Sequence, residues 1–394
     1  MSEPLYIGAS SWVTCCGDGR AAHAEALARG ASGLAANDFA PAAELATAVG
    51  RVQDLERTPL SAAFAEYDCR NNRLALRALG CDGLDGAIRA TVARVGAARV
   101  GVFVGTSTSG ILSTELLARD AATRGTAPAF ERRAYTHCHN MFATARFLAA
   151  WFGVEGPSLA ISTACSSSAK AFISARRAIR AGRCDAAIVA GVDSLALSTL
   201  YGFHALQLLA TTPCRPFAAD RAGISIGEAA AIVCVSREPA DIALIGAGES
   251  SDAHHMSTPP PDGAGARRAM IAALDDAGIA PDAIDYVNLH GTGTPANDAA
   301  EAAAMRATFA TQPASSSTKG AFGHALGAAG AVEAMVAIQA LRDGRAPANV
   351  GTTNPDPALG LAIATAPRAM ALRHVLSNSF GFGGSNCALV FART

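Results

Sequence analysis

The chain has 394 residues, half of them apolar, which is enough to bury a large core in one domain or in two fused halves. Lys and Arg total 32 against 33 for Asp and Glu, so the formal net charge of −1 gives no general attraction to nucleic acid or to an anionic membrane. Charged residues make up only 16% of the chain, and this low fraction predicts an oligomer that hides part of each subunit's surface.

Targeting and metal-binding patterns are absent from the sequence. Residues 1–16 have no basic region followed by an apolar run, so they do not resemble a signal peptide. The longest apolar segment, residues 320–341, contains His324 and Glu333 and is predicted to be a buried helix rather than a membrane span. The ten cysteines show no C-x-x-C pair and no zinc-ligand spacing. We therefore expect a cytoplasmic protein without stable membrane insertion and without a metal site.

Apolar segments typical of buried strands alternate with Ala-rich helical segments along the chain, which is the pattern of an α/β protein. The first series of predicted strands covers residues 99–105, 158–163, 185–193 and 229–236. Helices are predicted at residues 141–152, ending at Gly153, and at residues 166–181, with Gly182 as the C-terminal cap.

A second series of elements begins after the polar segment REP at residues 237–239. Its predicted strands cover residues 242–246, 284–289 and 375–379, and its predicted helices cover residues 264–277, 298–309 and 324–341. The proline-rich residues 257–265 are predicted to form a surface loop. Because the two series are similar in length and character, we predict two related halves, residues 1–240 and residues 241–394.

Cys165 lies in the segment STACSSS, residues 162–168, between a predicted strand and a predicted helix. A cysteine at such a turn is next to a helix N-terminus, whose partial positive charge favours thiolate over thiol. Free backbone N–H groups at the same place can bind an oxyanion. The segment therefore predicts a nucleophile elbow with cysteine as the nucleophile. The other nine cysteines are interpreted as small buried hydrophobic residues.

Two histidines follow in Gly-rich surroundings. His290 lies in NLHGTGTP, residues 288–295, where a strand leads into a Gly/Thr turn that lets another backbone or a ligand approach closely. His324 ends STKGAFGH, residues 317–324, and is predicted to open a helix whose N-terminus keeps the imidazole neutral. On the same segments, Lys319 and Glu333 are predicted to form a buried ion pair rather than two separate charges.

The last distinctive segment is the Gly-rich loop NSFGFGGSN at residues 378–386. It contains neither a G-x-G-x-x-G nor a P-loop pattern, so no phosphate site is predicted there. Together the four segments, in this order, closely resemble those of the elongating β-ketoacyl–acyl carrier protein synthases of the thiolase superfamily. The resemblance extends from about Val100 to the C-terminus and includes RPF at residues 215–217 and SSDAHHM at residues 250–256.

This resemblance implies a thiolase fold, a five-layered αβαβα arrangement of two related halves that is usually dimeric. It implies that Cys165 takes an acyl group from the phosphopantetheine arm of a carrier protein. Malonyl-carrier protein then loses its carboxylate, and the resulting carbanion attacks the acyl thioester. No cofactor is expected, because the carrier protein supplies the phosphopantetheine.

The resemblance also assigns roles to individual residues. Backbone N–H groups of Cys165 and Phe382 would hold the acyl oxygen, and His290 and His324 would stabilise the enolate. Lys319 would pair with Glu333, and the Phe382 loop would gate the acyl pocket. The residues expected to receive the phosphopantetheine amide are Thr292 and Thr294.

Three positions depart from the usual pattern of the family. Ile224 stands where an aromatic residue is common, and Thr108 stands where a larger aliphatic residue often forms the base of the acyl pocket. The smaller Thr108 predicts a deeper or more polar channel. Gln207 stands where some relatives have a basic residue that docks the carrier protein, so docking is expected to use arginines elsewhere on the surface. The alternative is that these arginines belong to an ordinary solvated face and dock nothing. The candidates are Arg70, Arg73, Arg132 and Arg133.

The sequence leaves the biological setting open. The enzyme fits fatty acid synthesis or a specialised polyene or polyketide pathway, and acyl chain length and starter group stay undetermined. Its partner would be a second copy or a related ketosynthase-like subunit in a heterodimer, besides the acyl carrier protein. A non-catalytic carrier-binding, chain-length-determining subunit is the alternative, which retention of the catalytic residues disfavours. A coenzyme-A-dependent thiolase is disfavoured by the pair of histidines.

Overall fold

The computed structural model describes residues 4–394. Strands are numbered in chain order within this range. They are β1 (Leu5–Thr14), β2 (Gly17–Asp18), β3 (Ala35–Ala36), β4 (Ala48–Gly50), β5 (Val100–Gly105), β6 (Ser158–Ile161), β7 (Ala186–Asp193), β8 (Ile226–Gly227), β9 (Ala229–Ser236), β10 (Ile242–Ser251), β11 (Tyr286–Asn288), β12 (Ala314–Ser316), β13 (Arg345–Ala346), β14 (Arg368–Ala369), β15 (His374–Gly381) and β16 (Ser385–Arg393).

The α-helices are numbered in the same way. They are α1 (Gly19–Arg29), α2 (Arg70–Leu79), α3 (Leu84–Val95), α4 (Ile111–Thr123), α5 (Arg132–Ala134), α6 (Ala143–Phe152), α7 (Ser167–Arg180), α8 (Leu197–Ala205), α9 (Ala264–Ala277), α10 (Pro295–Thr308), α11 (Lys319–Phe322) and α12 (Ala329–Asp343). Short 3₁₀ turns and one π-helical turn, Tyr135–His139, join some of them. Of the helices within residues 4–394, none has the length and apolarity needed to cross a membrane.

The large sheet consists of two runs of five strands that have the same internal order. One run is β6-β5-β7-β9-β1 and the other is β12-β11-β15-β16-β10, and the pairing of β1 with β10 joins them. In each run the first three strands are parallel and the last two add antiparallel to their neighbours. Taken in chain order, the strands of both runs occupy the same spatial positions. The predicted construction from two related halves is therefore confirmed, while the domain division at residue 240 stays a prediction.

Helices cover both faces of each run of strands, which gives five layers. Helices α2, α3 and α6 cover the outer face of the first run, where Val100, Val102 and Val104 of β5 alternate with the inward-facing Phe103. Helices α9 and α10 cover the second run through Met270 and other buried side chains. Burying one such apolar side chain stabilises the fold by about 1.5–3 kcal/mol. The predicted αβαβα fold is confirmed.

The central layer consists of α7 and α12, which lie between the two runs of strands. The two helices pack closely, because a Cβ placed on Gly330 of α12 would lie 2.6 Å from the backbone nitrogen of Ala169 on α7. The Gly/Ala-rich sequence of α12 allows this close approach, because its side chains are small. Because Gly330 and Ala169 lie near the N-terminal ends of their helices, this contact brings those two ends together.

Most predicted elements agree with the structure to within a few residues. Strand β9 and helix α9 have the predicted bounds, and α6 ends as predicted before Gly153, whose φ is 63°. The main difference concerns the helix predicted at residues 324–341. His324 precedes a 3₁₀ turn, Leu326–Ala328, and α12 begins only at Ala329.

Candidate active site

Cys165 lies at the turn between β6 and α7, where the sequence predicted a nucleophile elbow. The preceding residue, Ala164, has a φ of +52°, which is unusual for a residue with a side chain and makes the turn sharp. Helix α7 begins two residues after Cys165, and the cysteine side chain is buried. The backbone N–H groups of Phe382 and Cys165 lie close enough to its Sγ to lower the pKa of the thiol. These are the two donors that the resemblance assigned to an oxyanion site.

The protonation of Cys165 is governed mainly by burial. Burial raises the pKa of the Cys165 thiol to about 11, although the Lys319 charge and the two backbone N–H groups lower it. The sequence analysis considered only the helix N-terminus, which favours the thiolate, whereas burial has the largest effect on this pKa. The cysteine is a thiol at neutral pH and has to lose its proton as it reacts.

His324 is in direct contact with the cysteine. Its Nε2 lies 3.0 Å from the Cys165 Sγ, and its Nδ1 accepts a hydrogen bond of 3.2 Å from the backbone N–H of Leu326. An Nδ1 that accepts carries no proton, so the proton of the neutral ring lies on Nε2. Burial, together with the Lys319 charge, holds the pKa of His324 well below 6.5. The imidazole is thus neutral as predicted, but burial rather than a helix dipole accounts for it.

His290 lies beside His324, with ring centroids 5.4 Å apart and ring planes nearly perpendicular at 84°. It follows β11 directly and is buried. Its Nδ1 is 3.3 Å from the Lys319 ammonium, which can only donate, so the ring proton again lies on Nε2. Burial, with the Lys319 and His324 charges, holds the pKa of His290 well below 6.5. The site therefore presents two neutral Nε2–H donors.

Glu301 on α10 fixes the turn that carries His290, and the sequence analysis missed it. Its carboxylate accepts the backbone N–H groups of His290 at 2.8 Å and of Gly291 at 2.7 Å. The Asn378 amide also donates to it at 3.1 Å. Burial raises the pKa of Glu301 to about 7. An acidic residue in the middle of an Ala-rich helix was the sequence signal for this role.

Lys319 and Glu333 form an ion pair that is buried beneath the histidines. The Lys319 ammonium donates to the Glu333 carboxylate and to the backbone carbonyl of His290. Both side chains are only 3% exposed, and the Ser379 hydroxyl donates to the second carboxylate oxygen at 3.1 Å. The pair therefore lies behind the reacting groups and orients His290, and Glu333 does not line the substrate cavity.

The Gly-rich loop with Phe382 closes over the cysteine. A Cβ on Gly381 would lie 2.8 Å from the Thr163 carbonyl oxygen, so the loop can approach the cysteine turn only because this residue is glycine. The Phe382 ring packs on Phe203, with centroids 5.7 Å apart. This position allows the Phe382 N–H to reach the Cys165 Sγ while its ring forms part of the cavity wall.

A cavity of about 340 Å³ leads from the surface to the three reacting side chains, Cys165, His290 and His324. Thr292 and Thr294 line it nearer the surface, and their hydroxyl oxygens are 2.9 Å apart. Apolar side chains form another part of its wall: Phe203, Leu206, Leu208 and Ile224. Cys165, His290, His324 and Phe382 thus share one cavity with the residues predicted to receive the pantetheine arm, whereas Lys319 lies behind it.

Thr108 is hydrogen bonded to a buried carboxylate. Its hydroxyl donates to Asp193 at 2.7 Å, and Thr108 is not among the residues that line the cavity. Asp193 also accepts the backbone N–H groups of Ser107 and Ala328, so it ties the loop after β5 to the turn that follows His324. The deeper or more polar channel at Thr108 stays a prediction.

Two arginines considered for carrier docking are held by intramolecular ion pairs. Arg70 is buried and donates to Glu228 at 2.8 Å, and it also pairs with Glu56. Arg73 donates to both carboxylate oxygens of Asp68 at 2.6 Å. The suggestion that Arg70 docks a partner was therefore wrong, because its charge is already compensated inside the protein.

Cys165, His290 and His324 bring three atoms that can bind metal within 4.8 Å of one another. Cysteine and histidine are ordinary zinc ligands, so the donor types fit such an ion. The Lys319 ammonium lies 3.3 Å from the His290 ring, however, and would repel a dication bound there. The absence of a metal from the working site stays a prediction.

Comparison with known proteins identifies relatives. Two family models match the chain, the β-ketoacyl synthase N-terminal domain over residues 85–240 and the C-terminal domain over residues 242–353. The mitochondrial 3-oxoacyl-[acyl-carrier-protein] synthase of Arabidopsis thaliana is 41% identical over 264 residues, and the match spans 61% of this chain but only 57% of that protein. The 3-oxoacyl-[acyl-carrier-protein] synthase 2 of Staphylococcus aureus (strain COL) is 34% identical over 316 residues, 75% of each protein.

A solved structure resembles the whole chain. One chain of the complex between the ketosynthase ApeO and its chain length factor ApeC from Xenorhabdus doucetiae is 37% identical to it. The superposition has a TM-score of 0.89 and covers 100% of this chain and 98% of that one. The likeness therefore includes the N-terminal region, for which the sequence motifs gave weaker evidence.

Proposed function

The chain belongs to the β-ketoacyl synthase family, and on this premise we propose that it is a β-ketoacyl–acyl carrier protein synthase. It accepts an acyl group on Cys165 and condenses it with malonyl-carrier protein to give a β-ketoacyl-carrier protein. The observation that carries the proposal is the contact of 3.0 Å between the His324 Nε2 and the Cys165 Sγ at the inner end of a cavity that also contains His290.

In the acyl-transfer step, the Cys165 sulfur attacks the thioester carbonyl of the acyl carrier. The carbonyl oxygen gains negative charge, which the backbone N–H groups of Cys165 and Phe382 stabilise. The bond from the acyl carbon to the pantetheine sulfur then breaks. The departing pantetheine thiolate receives the proton that the Cys165 thiol loses, so the exchange of one thioester for another leaves no net charge.

In the condensation step, malonyl-carrier protein loses carbon dioxide and leaves an enolate. The electron pair of the broken carbon–carbon bond increases the negative charge on the thioester oxygen, where the Nε2–H groups of His290 and His324 can both donate. Since both rings are neutral with the proton on Nε2, each can donate one hydrogen bond to this oxygen. The enolate carbon then attacks the acyl group on Cys165, and the released thiolate takes up a proton.

The proposed partners are an acyl carrier protein and a second ketosynthase-like subunit. The arm of the carrier would pass Thr292 and Thr294, whose hydroxyls can bond its amides. The second subunit, identical or related, would add to strand β6, which is the last strand of its run and has Leu159 49% exposed. Similarity to a chain of a ketosynthase–chain length factor complex favours a specialised polyene or polyketide pathway over ordinary fatty acid synthesis. The proposed location is the cytoplasm.

The proposal is tested by intact-mass analysis after mixing the protein with a panel of acyl-carrier proteins. Wild type should gain the mass of one acyl group, and addition of malonyl-carrier protein should discharge it as a β-ketoacyl product. Cys165→Ala should gain nothing. Cys387→Ala is the matched control, because Cys387 is equally buried but lies on β16, outside the cavity. It should be acylated like wild type.

Two results would contradict the proposal. The first is a folded wild-type protein that takes no acyl group from any carrier, which would favour the non-catalytic, chain-length-determining subunit. The second is acylation from acyl-coenzyme A but not from carriers, which would favour a thiolase. The carrier that acylates fastest would indicate the chain length and therefore the pathway.

A further inference from the structure

Cys15 and Cys16 form the two-residue turn of a β-hairpin. Strand β1 ends at Thr14 and pairs with β2 at Gly17, so both cysteines lie between the paired strands at the hairpin tip. Both side chains are partly exposed. The Cα atoms of adjacent residues are about 3.8 Å apart, less than most disulfides span, so a disulfide between them is strained and easily reduced again.

Both thiols contact the backbone of α11, the short helix that begins at Lys319. The Cys15 Sγ lies 3.7 Å from the carbonyl oxygens of Ala321 and Phe322, and the Cys16 Sγ lies 3.5 Å from that of Ala321. The two sulfurs thus converge on the same carbonyl oxygen. The backbone of Gly33 lies next to the sulfur of Cys15, since a Cβ on Gly33 would lie 2.9 Å from that sulfur.

The two thiols differ in how readily they ionise. The interaction between the two neighbouring thiols lowers the pKa of Cys16 below the ordinary value and, together with burial, raises that of Cys15 well above it. The backbone of Gly33 and the Thr14 side chain also lower the pKa of Cys16. A partly exposed thiol that ionises easily, next to a second thiol, has the features of oxidation-sensitive cysteine pairs.

We propose that Cys15 and Cys16 form an oxidation site that hydroperoxides convert into a disulfide. The Cys16 sulfur attacks the peroxide oxygen, the O–O bond breaks, and Cys16 becomes a sulfenic acid while the peroxide leaves as hydroxide or alkoxide. The Cys15 thiol then attacks the Cys16 sulfur, which forms the S–S bond and releases water. Two thiols lose two electrons and two protons, and one hydroperoxide is reduced.

The position of the pair couples its oxidation to the cavity. When the disulfide forms, both S–H donors disappear and the sulfurs move away from the carbonyl oxygens of α11. This helix begins at Lys319, whose ammonium contacts His290. Oxidation should therefore misplace Lys319 and slow turnover. This effect on turnover rests on the proposed function, whereas the oxidation itself does not.

Tryptic peptides can report the oxidation directly. The peptide that ends at Arg20 contains Cys15 and Cys16 as its only cysteines, and the peptide from Ala78 to Arg89 contains only Cys81. Cys81 is a matched control, because it is also partly exposed but burial raises its pKa. The protein is treated with limited hydrogen peroxide, and the remaining thiols are then alkylated with iodoacetamide. The mass of the first peptide should be lower by two hydrogen atoms and should include no alkyl group, because a disulfide does not react with iodoacetamide. Cys16 should react about tenfold faster than Cys81.

Single variants identify the attacking sulfur. In Cys15→Ser, dimedone should trap a sulfenic acid on Cys16, because the resolving thiol is missing. In Cys16→Ser, Cys15 should stay reduced. The proposal would be overturned if the wild-type peptide stayed doubly alkylated at peroxide doses that oxidise Cys81, or if dimedone labelled Cys15 instead.

Turnover is measured separately in the same samples. Peroxide should slow acyl discharge in wild type, a thiol reductant should restore it, and Cys16→Ser should resist the treatment. Disulfide formation without a change in turnover would refute the coupling to the cavity. Absence of turnover in the reduced protein would refute the proposed function but not the oxidation site, since the peptide masses do not depend on catalysis.

Discussion

Replacing Lys319 with methionine should destabilise the protein strongly. Methionine keeps the length of the side chain but removes the charge that compensates Glu333, and both residues are only 3% exposed. Loss of one partner of a buried ion pair costs about 3–5 kcal/mol, because the remaining charge is left without compensation. Burial already raises the pKa of Glu333, so the carboxylate of the variant should take up a proton.

Urea unfolding of four proteins measures this effect: wild type, Lys319→Met, Glu333→Gln and the double variant. The double variant should recover more than about 1 kcal/mol relative to the sum of the single changes, since the two side chains interact directly. Arg29→Met is the control, because its partner Glu25 forms an exposed pair that solvent screens. A loss below about 1 kcal/mol for Lys319→Met, or strict additivity, would refute the reasoning.

The same variant should change the pH dependence of catalysis. The Lys319 charge lowers the pKa values of both His290 and His324. Without that charge the two pKa values rise, so the histidines become protonated at a higher pH than in wild type. The acid limb of the kcat profile should therefore move to higher pH, and an unchanged acid limb would show that Lys319 does not act through the histidines.

Three further predictions follow from single residues. Iodoacetamide should alkylate Cys165 about tenfold faster for each pH unit between about 7 and 10, because the pKa of about 11 keeps its thiolate scarce. The rate is followed by peptide mass, and an alkylation rate that stops rising below about pH 9 would contradict this. The pKa of His23 is lowered by burial to about 4, so the free energy of unfolding should fall by about 3 kcal/mol as pH drops from about 6.5 to about 4. His23→Phe should remove this slope from urea titrations, and an unchanged slope would contradict the assignment. Thr108→Val should cost about 1–3 kcal/mol by leaving Asp193 short of a donor, with product chain length unchanged in mass analysis; a longer or shorter product would place Thr108 at the acyl pocket after all.

The sequence was sufficient for the parts of the fold that depend on apolar periodicity. Strands β5, β7 and β9 are continuous apolar runs with glycine or polar ends, and they were predicted to within a residue. Strand β1 was not predicted, although it joins the two runs of strands. Its buried Ser10, Ser11 and Thr14 interrupt the apolar pattern, and only the tertiary structure shows that these residues lie inside.

The candidate site was predicted by residue type but not by environment. Cys165, His290 and His324 meet as expected, yet a sequence does not show how deeply a group is buried. At Cys165, desolvation exceeds the effect of the helix N-terminus, which is the only effect that the sequence analysis considered. Asp193 and Glu301 were missed, since each accepts a hydrogen bond from a residue far away in the sequence, Ala328 and Asn378 respectively.

The contact between α7 and α12 sets a lower limit on the separation of the two backbone segments that carry Cys165 and His324. Cys165 lies two residues before α7, and His324 lies five residues before α12. Gly330 brings the two helices to a separation at which backbone atoms would touch any added Cβ. Thermal motion can therefore widen the separation of the two backbone segments that carry the sulfur and the imidazole but hardly narrow it. The points from which the two reacting side chains extend are held by contact between main-chain atoms.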